Sequence, residues 1–326
     1  MSAAARPVLV VAEQLDAAAD MVVDQLNRRN VPVMRFDVAE FPQRLTLTGN
    51  HLPQESGWTG TIDDGRRTVR LEEVRAVYWR RPARPQIAAS VPEPYATWAQ
   101  NQADAAILNL LSALSGARWL NDPHADRVAA HKPQQLVAAT RCGLMVPRSI
   151  ITNDLEAARA FAKEVDGPLI CKPVLGGRLD VGEDRSLMVA THRVNSEDFD
   201  DTIRLTAHYV QEDITKAYEV RLIAVGGDVF GGKLITTSEA AGIDWRTDYN
   251  HIEYDTVAVP ADVATGVRRF LAYYGIAFGA FDFAVTPAGQ WVFFENNPCG
   301  TWGWVENRTG LPIAAAHAAY LMGATE

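Results

Sequence analysis

The sequence predicts an α/β protein built from two or three packed units, and three observations support this. The chain has 326 residues, of which 48% are apolar, which is more than a single hydrophobic core usually accommodates. Its first 36 residues alternate an apolar run, an amphipathic stretch and a second apolar run. Its later part carries short apolar runs separated by turns rich in glycine and aspartate, which is typical of short strands.

The N-terminal stretch predicts a βαβ unit without a dinucleotide site. Residues 8–11 are predicted as a buried strand, residues 17–30 as a helix and residues 31–36 as a second strand. The connecting residues 12–16 contain no glycine. Because a pyrophosphate approaches a helix N-terminus closely only over glycine, this connection argues against a NAD or FAD site.

The remainder of the first domain is also predicted to be α/β. Residues 45–71 have the alternation and turns of a β meander, and residues 74–82 read as a strand. Residues 93–115 carry apolar side chains at helical spacing, and this helix is predicted to end at Gly116. The first domain is therefore predicted to cover residues 1–118.

Two further units are predicted at residues 119–207 and 208–326. Asn153 followed by Glu156 resembles a capping box at a helix start. The predicted elements are helices at 133–142 and 153–165, strands at 168–175 and 186–194, a polar helix at 197–207, and strands at 208–212, 218–225, 229–236, 281–285 and 291–295.

Composition and charge argue against several classes of protein. The formal net charge is −9, whereas proteins that bind nucleic acid through its phosphates carry a basic face. Cys142, Cys171 and Cys299 are far apart and form no metal-binding motif, which fits a reducing cytoplasm. The apolar N-terminal run is too short to span a membrane, and the histidines show no metal-binding spacing.

Lys172 lies at the end of an apolar run, where an ammonium group needs an anionic partner because its desolvation is costly. A neighbouring carboxylate and a nucleotide phosphate are the two alternatives. The glycine-rich residues 176–182 follow directly, and glycines allow backbone N–H groups to close over phosphate oxygens. The sequence therefore favours a phosphate.

A second glycine-rich stretch, residues 227–233, matches the pattern GxxxxGK but not its context. Leu234 stands where a serine or threonine would hold magnesium, and the stretch lies between two predicted strands. Gly226, Gly227 and Asp228 are instead predicted to form a hairpin turn.

Asp282, Glu295 and Asn297 are candidate ligands of a magnesium ion. The turn at residues 286–290 joins the strands that carry the two carboxylates, so hairpin pairing brings them together, and Asn297 follows on the same face. Mg²⁺ prefers a few such oxygens plus phosphate oxygens. In the alternative interpretation, Asp282 caps a turn and residues 295–297 form a polar strand exit. The lysine in an apolar run favours the metal and nucleotide interpretation.

From residue 119 to the C-terminus, the order and spacing of the polar residues resemble those of the ATP-grasp ligases. The residues that carry the resemblance are Lys132, Lys172, the glycine loop, Gln211-Glu212-Asp213-Ile214, Glu219-Val220-Arg221, Asp282 and Glu295-Asn296-Asn297-Pro298. The resemblance implies an N-terminal Rossmann-like pre-ATP-grasp domain followed by an ATP-grasp fold of two α+β lobes. It also implies that ATP and Mg²⁺ are the cofactors.

The resemblance assigns roles to individual residues of this sequence. Phosphate contacts are expected from both lysines and the glycine loop, adenine contacts from backbone groups, and a ribose contact from an acidic side chain. The residues concerned are Lys132, Lys172, Gly176 and Gly177 for phosphate, Glu212 and Ile214 for adenine, Glu219 for ribose, Arg221 for the phosphates or an acyl phosphate, and Asp282, Glu295 and Asn297 for the metal.

Further motifs resemble the graspetide synthetases of the microviridin type, which macrocyclise a ribosomal precursor peptide through ω-ester or ω-amide bonds. They are Arg35-Phe36-Asp37, Phe41-Pro42, the YWRRP run at residues 78–82, Asp244-Trp245-Arg246, the NPCGTWGWVE run at residues 297–306 and the TGLP run at residues 309–312. Asn296 and the CGTW run at residues 299–302 depart from the usual pattern. The resemblance implies a precursor-peptide partner, with leader and core segments, and a homodimer.

Two arginine sites and one aromatic pair complete the predictions. Arg246 is a candidate for orienting the acceptor carboxylate, because a guanidinium matches two oxygens; the alternative is a solvated loop arginine. Arg80 and Arg81 either touch the peptide or a partner subunit, or form a charged strand end. Trp302 and Trp304 alternate in a strand-like segment and are predicted to lie in the core or an interface.

Two other functions compete with peptide macrocyclisation. One is a RimK-like ATP-grasp ligase that adds an amino acid to a small molecule or a protein tail, and the motifs at residues 78–81 and 244–246 weigh against it. The other is a nucleotide-binding regulator without turnover. The presence of both lysines and all three candidate metal ligands favours an enzyme.

Overall fold

The computed structural model describes residues 6–114, 116–182, 185–238 and 242–323. The helices in these ranges are α1 (Ala17–Arg28), α2 (Tyr95–Ser112), α3 (Pro123–Ala129), α4 (Lys132–Arg141), α5 (Leu155–Val165), α6 (Ala261–Tyr274), α7 (Gly303–Thr309) and α8 (Ile313–Met322). The strands are β1 (Val8–Ala12), β2 (Val33–Phe36), β3 (Thr46–Asn50), β4 (Thr59–Asp63), β5 (Thr68–Arg70), β6 (Ala76–Arg80), β7 (Arg118–Leu120), β8 (Ser149–Thr152), β9 (Leu169–Lys172), β10 (Arg178–Asp180), β11 (Ser186–Met188), β12 (His192–Val194), β13 (His208–Glu212), β14 (Tyr218–Val225), β15 (Asp228–Thr236), β16 (Ile252–Val257), β17 (Phe278–Val285) and β18 (Trp291–Asn297).

The N-terminal unit is a parallel sheet in the order β2-β1-β6-β7. The predicted βαβ unit is confirmed, and α1 begins at Asp16, whose side chain accepts a hydrogen bond from the Ala19 N–H. The predicted meander is also confirmed as the antiparallel sheet β3-β4-β5. Because neighbouring parallel strands all end at the same edge, loops after β1, β6 and β7 meet there, which is where open α/β sheets bind ligands.

A small antiparallel sheet in the order β12-β9-β13-β8 forms the second unit, with α5 packed on it. Three details differ from the predictions. The helix cap is Asp154 rather than Asn153, since the Asp154 side chain accepts from Glu156 N. The predicted strand at 186–194 is two strands, β11 and β12, and the predicted helix at 197–207 is two short 3₁₀ turns.

The third sheet is antiparallel, with five strands in the order β16-β15-β14-β17-β18. Helix α6 packs against it through Val267, Phe270 and Leu271, in a core with Phe281 and Phe293. The predicted hairpin turn at Gly226 and Gly227 is confirmed, because β14 and β15 pair from Val225 and Asp228 outward.

The C-terminal segment corrects one prediction. Trp302 and Trp304 do not lie on a strand, because α7 begins at Gly303 directly after Trp302. Trp302 is fully buried, as predicted, and stacks on His317 of α8 with 4.5 Å between ring centroids. Burial of this histidine lowers its pKa to about 3, so the imidazole is neutral.

No helix in the described part of the chain is both long and apolar enough to cross a membrane.

Candidate functional site

A cavity of about 570 Å³ lies between the four-stranded sheet β12-β9-β13-β8 and the five-stranded sheet β16-β15-β14-β17-β18. Most of the predicted site residues line it. Its wall is formed from strands of both sheets, from the start of α4 and from the glycine loop. The five side chains on which the sequence-based hypothesis depends all line it, namely Lys132, Lys172, Asp282, Glu295 and Asn297. They therefore face one space rather than separate surfaces.

The two carboxylates lie opposite each other on adjacent strands. Asp282 of β17 is the register partner of Glu295 of β18, as the hairpin predicts. The amide of Asn297 is 3.3 Å from Asp282 Oδ2 and 3.3 Å from Glu295 Oε1. These three side chains are a compact set of oxygen-bearing groups at one end of the cavity.

Each carboxylate also has a cationic partner. The Lys132 Nζ lies 3.2 Å from Glu295 Oε2, and Arg221 Nη1 donates to both oxygens of Asp282 at 2.8 and 2.9 Å. The side chains of Asp282 and Glu295 are only 14% and 11% exposed, so this pairing offsets part of their desolvation cost.

The carboxylate and amide donors fit a hard cation such as Mg²⁺, which takes oxygen ligands and keeps several positions for water or phosphate. Asn297 presents its Nδ2 to both carboxylates, and turning the amide over would present its oxygen instead, so that two carboxylates and one amide oxygen would leave such positions open. No group of three or more His, Cys, Asp or Glu side chains suited to a metal occurs within residues 6–114, 116–182, 185–238 and 242–323.

Lys172 and Lys132 approach the cavity from different elements. The Lys172 Nζ, at the end of β9, donates to Gln211 Oε1 at 2.9 Å and lies 4.8 Å from the Tyr209 ring centroid. The Lys132 Nζ, at the first residue of α4, also donates to Pro173 O at 3.2 Å. Both ammonium groups are thus held at the wall of one cavity that is large enough for a polyphosphate.

The glycine loop forms part of the cavity wall, as predicted. Gly177 is held close to the hairpin β10–β11, because Val189 N donates to Gly177 O at 2.6 Å. A Cβ added to Gly177 would lie 2.5 Å from Val189 O, whereas one added to Gly176 would meet nothing within 4 Å. Gly177 therefore permits a close backbone approach.

Residues 211–219, from the end of β13 to the start of β14, differ in detail from the prediction. Gln211, Asp213, Lys216 and Glu219 line the cavity, whereas Glu212 and Ile214 are not among the lining residues. The Glu212 N–H donates to Arg148 O at 3.0 Å, within the local sheet. Adenine contacts from Glu212 and Ile214 therefore stay a prediction.

Arg221 is not among the lining residues of this cavity, but it donates to Asp282, which is. Arg246 lies in a short 3₁₀ helix, Trp245–Thr247, next to Asp244 and Trp245, which line the cavity. The side chain of Arg246 lies outside the described residues, and so do the side chains of Arg178 and Asp180 in the glycine loop.

Two buried side chains that sequence reasoning missed hold the site in place. Gln135 of α4 accepts a hydrogen bond from Asn296 N and donates to Asn296 O, each at 2.8 Å. It thereby fixes the strand residue between Glu295 and Asn297. Asn121 accepts from Ala277 N and Phe278 N, both at 2.8 Å, and so joins the end of the parallel sheet to β17. Their partners are more than 150 residues away in sequence, so only the position of Gln135 three residues after Lys132 hints at a role.

Glu219 has an unusual environment for a carboxylate. Burial raises its pKa to about 7, even though Lys216 Nζ lies 2.6 Å from its Oε1. Because its pKa is raised in the folded state, the contribution of Glu219 to stability is largest below about pH 4.5 and is lost as pH rises through 7.

Replacing Glu219 with glutamine should remove this pH dependence. The free energy of unfolding of Glu219→Gln minus that of wild type is expected to increase by on the order of 2 kcal/mol from pH 5 to pH 8. Urea-denaturation curves of both proteins at pH 5, 6.5 and 8 measure the difference. The exposed Glu253→Gln on β16 is the matched control and should show none. Parallel pH dependences for wild type and Glu219→Gln would contradict the raised pKa.

Comparisons with known proteins show what the chain and its fold are similar to. Residues 7–127 match the family model of the MvdD pre-ATP grasp domain. A RiPP-associated ATP-grasp ligase of Chryseobacterium gregarium, solved with ADP and a leader and core peptide, has a TM-score of 0.89 at 24% identity over 98% of both chains. No curated protein matches the chain.

Two macrocyclases of Microcystis aeruginosa MRC are also similar. MdnC, solved with the precursor peptide MdnA, is 25% identical over 97% of this chain and 99% of its own, with a TM-score of 0.83. MdnB is 27% identical over 97% of this chain and 99% of its own, with a TM-score of 0.78.

The fold is that of the ATP-grasp ligases, and the N-terminal part of the chain matches a pre-ATP-grasp domain. Within that class, the chain is similar to the graspetide synthetases. The resemblance and the fold class predicted from the sequence are both confirmed.

Proposed function

We propose that this protein is an ATP-dependent ligase that macrocyclises a ribosomal precursor peptide through side-chain ω-ester or ω-amide bonds. The observation that carries the proposal is the gathering of Lys132, Lys172, Asp282, Glu295 and Asn297 around one cavity between two antiparallel sheets. Two ammonium groups beside an oxygen-rich ligand set match the charge of a nucleotide triphosphate with its metal. A nucleotide-binding regulator without turnover would not need both the two lysines and the metal ligands.

The proposed nucleotide contacts follow from the cavity wall. Lys132 and Lys172 hold the α- and β-phosphates, the backbone at Gly176 and Gly177 closes over the phosphates, and Glu219 binds the ribose. The backbone of Glu212 and Ile214 is proposed for adenine.

Asp282, Glu295 and Asn297 are the proposed ligands of Mg²⁺. When bound, Mg²⁺ supplies positive charge to the phosphate oxygens. Arg221, which already spans the two oxygens of Asp282, holds this carboxylate aimed at the cation position. The fixed guanidinium also faces negative charge on the transferred phosphoryl group.

The proposed chemistry consists of two displacements. A substrate carboxylate oxygen attacks the γ-phosphorus of ATP, the bond to the β–γ bridging oxygen breaks, and ADP leaves an acyl phosphate on the substrate. A hydroxyl or amine of the same peptide then attacks the acyl carbon, loses its proton and expels phosphate. The protein contributes by holding both groups close and by keeping out water, which would hydrolyse the acyl phosphate. Lys172 neutralises the negative charge that builds up on the phosphate oxygens during phosphoryl transfer. Arg246 orients the acceptor carboxylate.

A peptide substrate is favoured by the similarity to the macrocyclases MdnC and MdnB, which extends over 97% of this chain and includes the N-terminal domain. The division of the chain into residues 1–118, 119–207 and 208–326 is part of the proposal, although β13 pairs with β8 and β9 across the second boundary. A cytoplasmic location and a homodimer are also proposed, and light scattering of the purified protein tests the latter.

Mass spectrometry tests the proposed activity. Precursor peptides rich in Thr, Ser, Glu and Asp are incubated with the protein, ATP and Mg²⁺, and a loss of one water mass per ring is expected. Reactions without ATP are the control and should leave the mass unchanged. Mild base distinguishes the products, because it opens esters and spares amides. Unchanged mass for every precursor in the complete reaction would refute the macrocyclase assignment.

A further inference from the structure

In the second displacement of the proposed reaction, the attacking hydroxyl or amine loses a proton, and some group must accept it. The two carboxylates proposed to hold the metal have cationic partners. Asp282 is spanned by Arg221, and the Glu295 carboxylate lies 3.2 Å from the ammonium group of Lys132. A separate proton acceptor is therefore expected beside the metal ligands, on the side that the nucleotide does not occupy.

A second cavity, of about 620 Å³, lies on that side. We call it the junction cavity, and it shares Asp282 and Asn297 with the nucleotide cavity. Much of the rest of its wall comes from the end of β6, from α3 and from residues 298–301 directly after β18. Because the first cavity is assigned to the nucleotide, the attacking hydroxyl or amine reaches the acyl phosphate through the junction cavity.

Three side chains in the described wall of the junction cavity could in principle exchange a proton near neutral pH, namely Asp126, Asp282 and Cys299, and no histidine lines it. Asp282 is engaged by Arg221. Burial and the Asp126 carboxylate raise the pKa of the Cys299 thiol far above its usual range, so this thiol is a hydrogen-bond donor and not a base. Asp126 is the side chain that remains.

Asp126 lies on α3 and is held in place by two neutral donors. Its side chain accepts a hydrogen bond from Asn121 Nδ2 on Oδ1 and one from Cys299 Sγ on Oδ2, both at 2.8 Å. Asn121 is itself fixed by the Phe278 and Pro298 carbonyl groups. Because a carboxylate oxygen accepts two hydrogen bonds, each oxygen of Asp126 keeps a position for a further proton.

The surroundings of Asp126 make it a stronger base than an ordinary aspartate. Burial raises its pKa to about 6, against the opposing effect of the hydrogen bonds from Cys299 and Asn121. The carboxylate of Asp122, one turn earlier on the chain, adds to the rise. A carboxylate with this pKa is ionised above pH 7, and a base is most effective when its pKa is close to the working pH.

The cations near Asp126 leave it available. Arg80 pairs with Asp16 at 3.4 Å and donates to Cys299 O at 2.8 Å, so its charge is used within the fold. Arg81 and Arg127 line the junction cavity but are exposed, and water screens their charges.

We infer that Asp126 is the general base of ring closure and accepts the proton of the hydroxyl or amine that attacks the acyl phosphate. The inference rests on the proposed ligase function and adds a catalytic residue to it. As the attacking oxygen or nitrogen bonds to the acyl carbon, its proton passes to an oxygen of Asp126. The bond from the acyl carbon to the phosphate oxygen breaks, phosphate leaves with that electron pair, and the proton on Asp126 then passes to solvent.

Asp126→Asn separates the two displacements in single-turnover experiments with ATP, Mg²⁺ and an ester-forming precursor peptide. ADP formation reports the first displacement, loss of water mass reports the second, and hydroxylamine traps the acyl phosphate as a hydroxamate. The variant is expected to form ADP and hydroxamate at nearly the wild-type rate and to close rings about 10²–10⁴-fold more slowly. A residue that only supports the fold would slow both displacements alike.

The pH dependence of ring closure gives a second readout. Because the base acts in its ionised form, the wild-type rate of ring closure should fall about tenfold per pH unit below pH 6, while ADP formation does not. Cys299→Ser places a stronger donor on the carboxylate and should move this fall to lower pH. Asp262→Asn, in the first turn of α6 and exposed, is the control and should behave as wild type.

Ring closure by Asp126→Asn at the wild-type rate would overturn the inference, and so would equal losses in ADP formation and ring closure. Circular dichroism checks the fold of the variant. If Asp126→Asn does not fold, a pH dependence of ring closure that is the same in wild type and Cys299→Ser would overturn the inference as well. A wild type that forms neither ADP nor hydroxamate with any precursor would instead count against the proposed ligase function, which separates the two conclusions.

Discussion

Glu295→Gln is expected to lower kcat for ring formation by about 10²–10³-fold, the effect of removing one preorganised electrostatic group from a transition state. Glu295 links the proposed metal site to a phosphate-binding lysine, because its Oε1 lies 3.3 Å from Asn297 Nδ2 and its Oε2 lies 3.2 Å from Lys132 Nζ. The substitution preserves shape and removes charge. Single-turnover kinetics with ATP and precursor peptide measure the change.

The fold should survive this substitution, since Lys132 keeps its hydrogen bond to Pro173 O and Asn296 stays bound to Gln135. Circular dichroism and the thermal midpoint verify this. Glu253→Gln, on an exposed position of the same sheet, should retain wild-type kcat. Near-normal turnover of Glu295→Gln would mean that the metal and nucleotide lie elsewhere, and Lys172→Ala gives a second, independent test of the same cavity.

Arg221→Met is expected to reduce the free energy of unfolding by about 3 kcal/mol and to abolish turnover. The guanidinium is 5% exposed and donates to both oxygens of Asp282. Removing one partner of a buried ion pair leaves the other charge uncompensated, which typically costs about 3–5 kcal/mol. A Cβ on neighbouring Gly300 would lie 2.6 Å from Arg221 Nη2, so the space around the guanidinium leaves little room for rearrangement. Urea denaturation measures the loss.

The double variant Arg221→Met/Asp282→Asn provides the sharper comparison. Because it also removes the stranded carboxylate, it should recover part of the stability that Arg221→Met loses. Arg204→Met, in an exposed pair with Asp201 at 4.0 Å, should change stability by less than about 1 kcal/mol. A double variant less stable than Arg221→Met alone would show that the ion pair does not account for the loss.

The part of the site that could be predicted from the sequence is the part that depends on local geometry. A short turn between two strands places Asp282 opposite Glu295, and strand alternation places Asn297 on the same side. Lys172, at the end of an apolar run, was recognised as a candidate site residue because burying an unpaired ammonium group costs free energy. The proximity of Asp282, Glu295 and Asn297 could therefore be predicted without knowledge of the sheet topology.

The residues that were missed depend on distant contacts. Asn121 is satisfied by backbone groups at residues 277–278, and Gln135 by Asn296, and the sequence around either residue does not identify these partners. The strand predicted around Trp302 was wrong for a similar reason, because stacking of Trp302 on His317 and packing of α7 determine its environment. At Asp154, two adjacent polar residues both suit a helix cap, and the sequence does not rank them.

The core of the first sheet contains residues from both ends of the chain. Val8 and Val10 of β1 belong to the same buried cluster as Ile313, Ala314 and Leu321 of α8. During synthesis, the N-terminal strands therefore leave the ribosome long before the helix that covers one of their faces. Until translation finishes, that face must be covered by something else or remain open to aggregation. Truncation at the C-terminus would accordingly damage the domain that is made first.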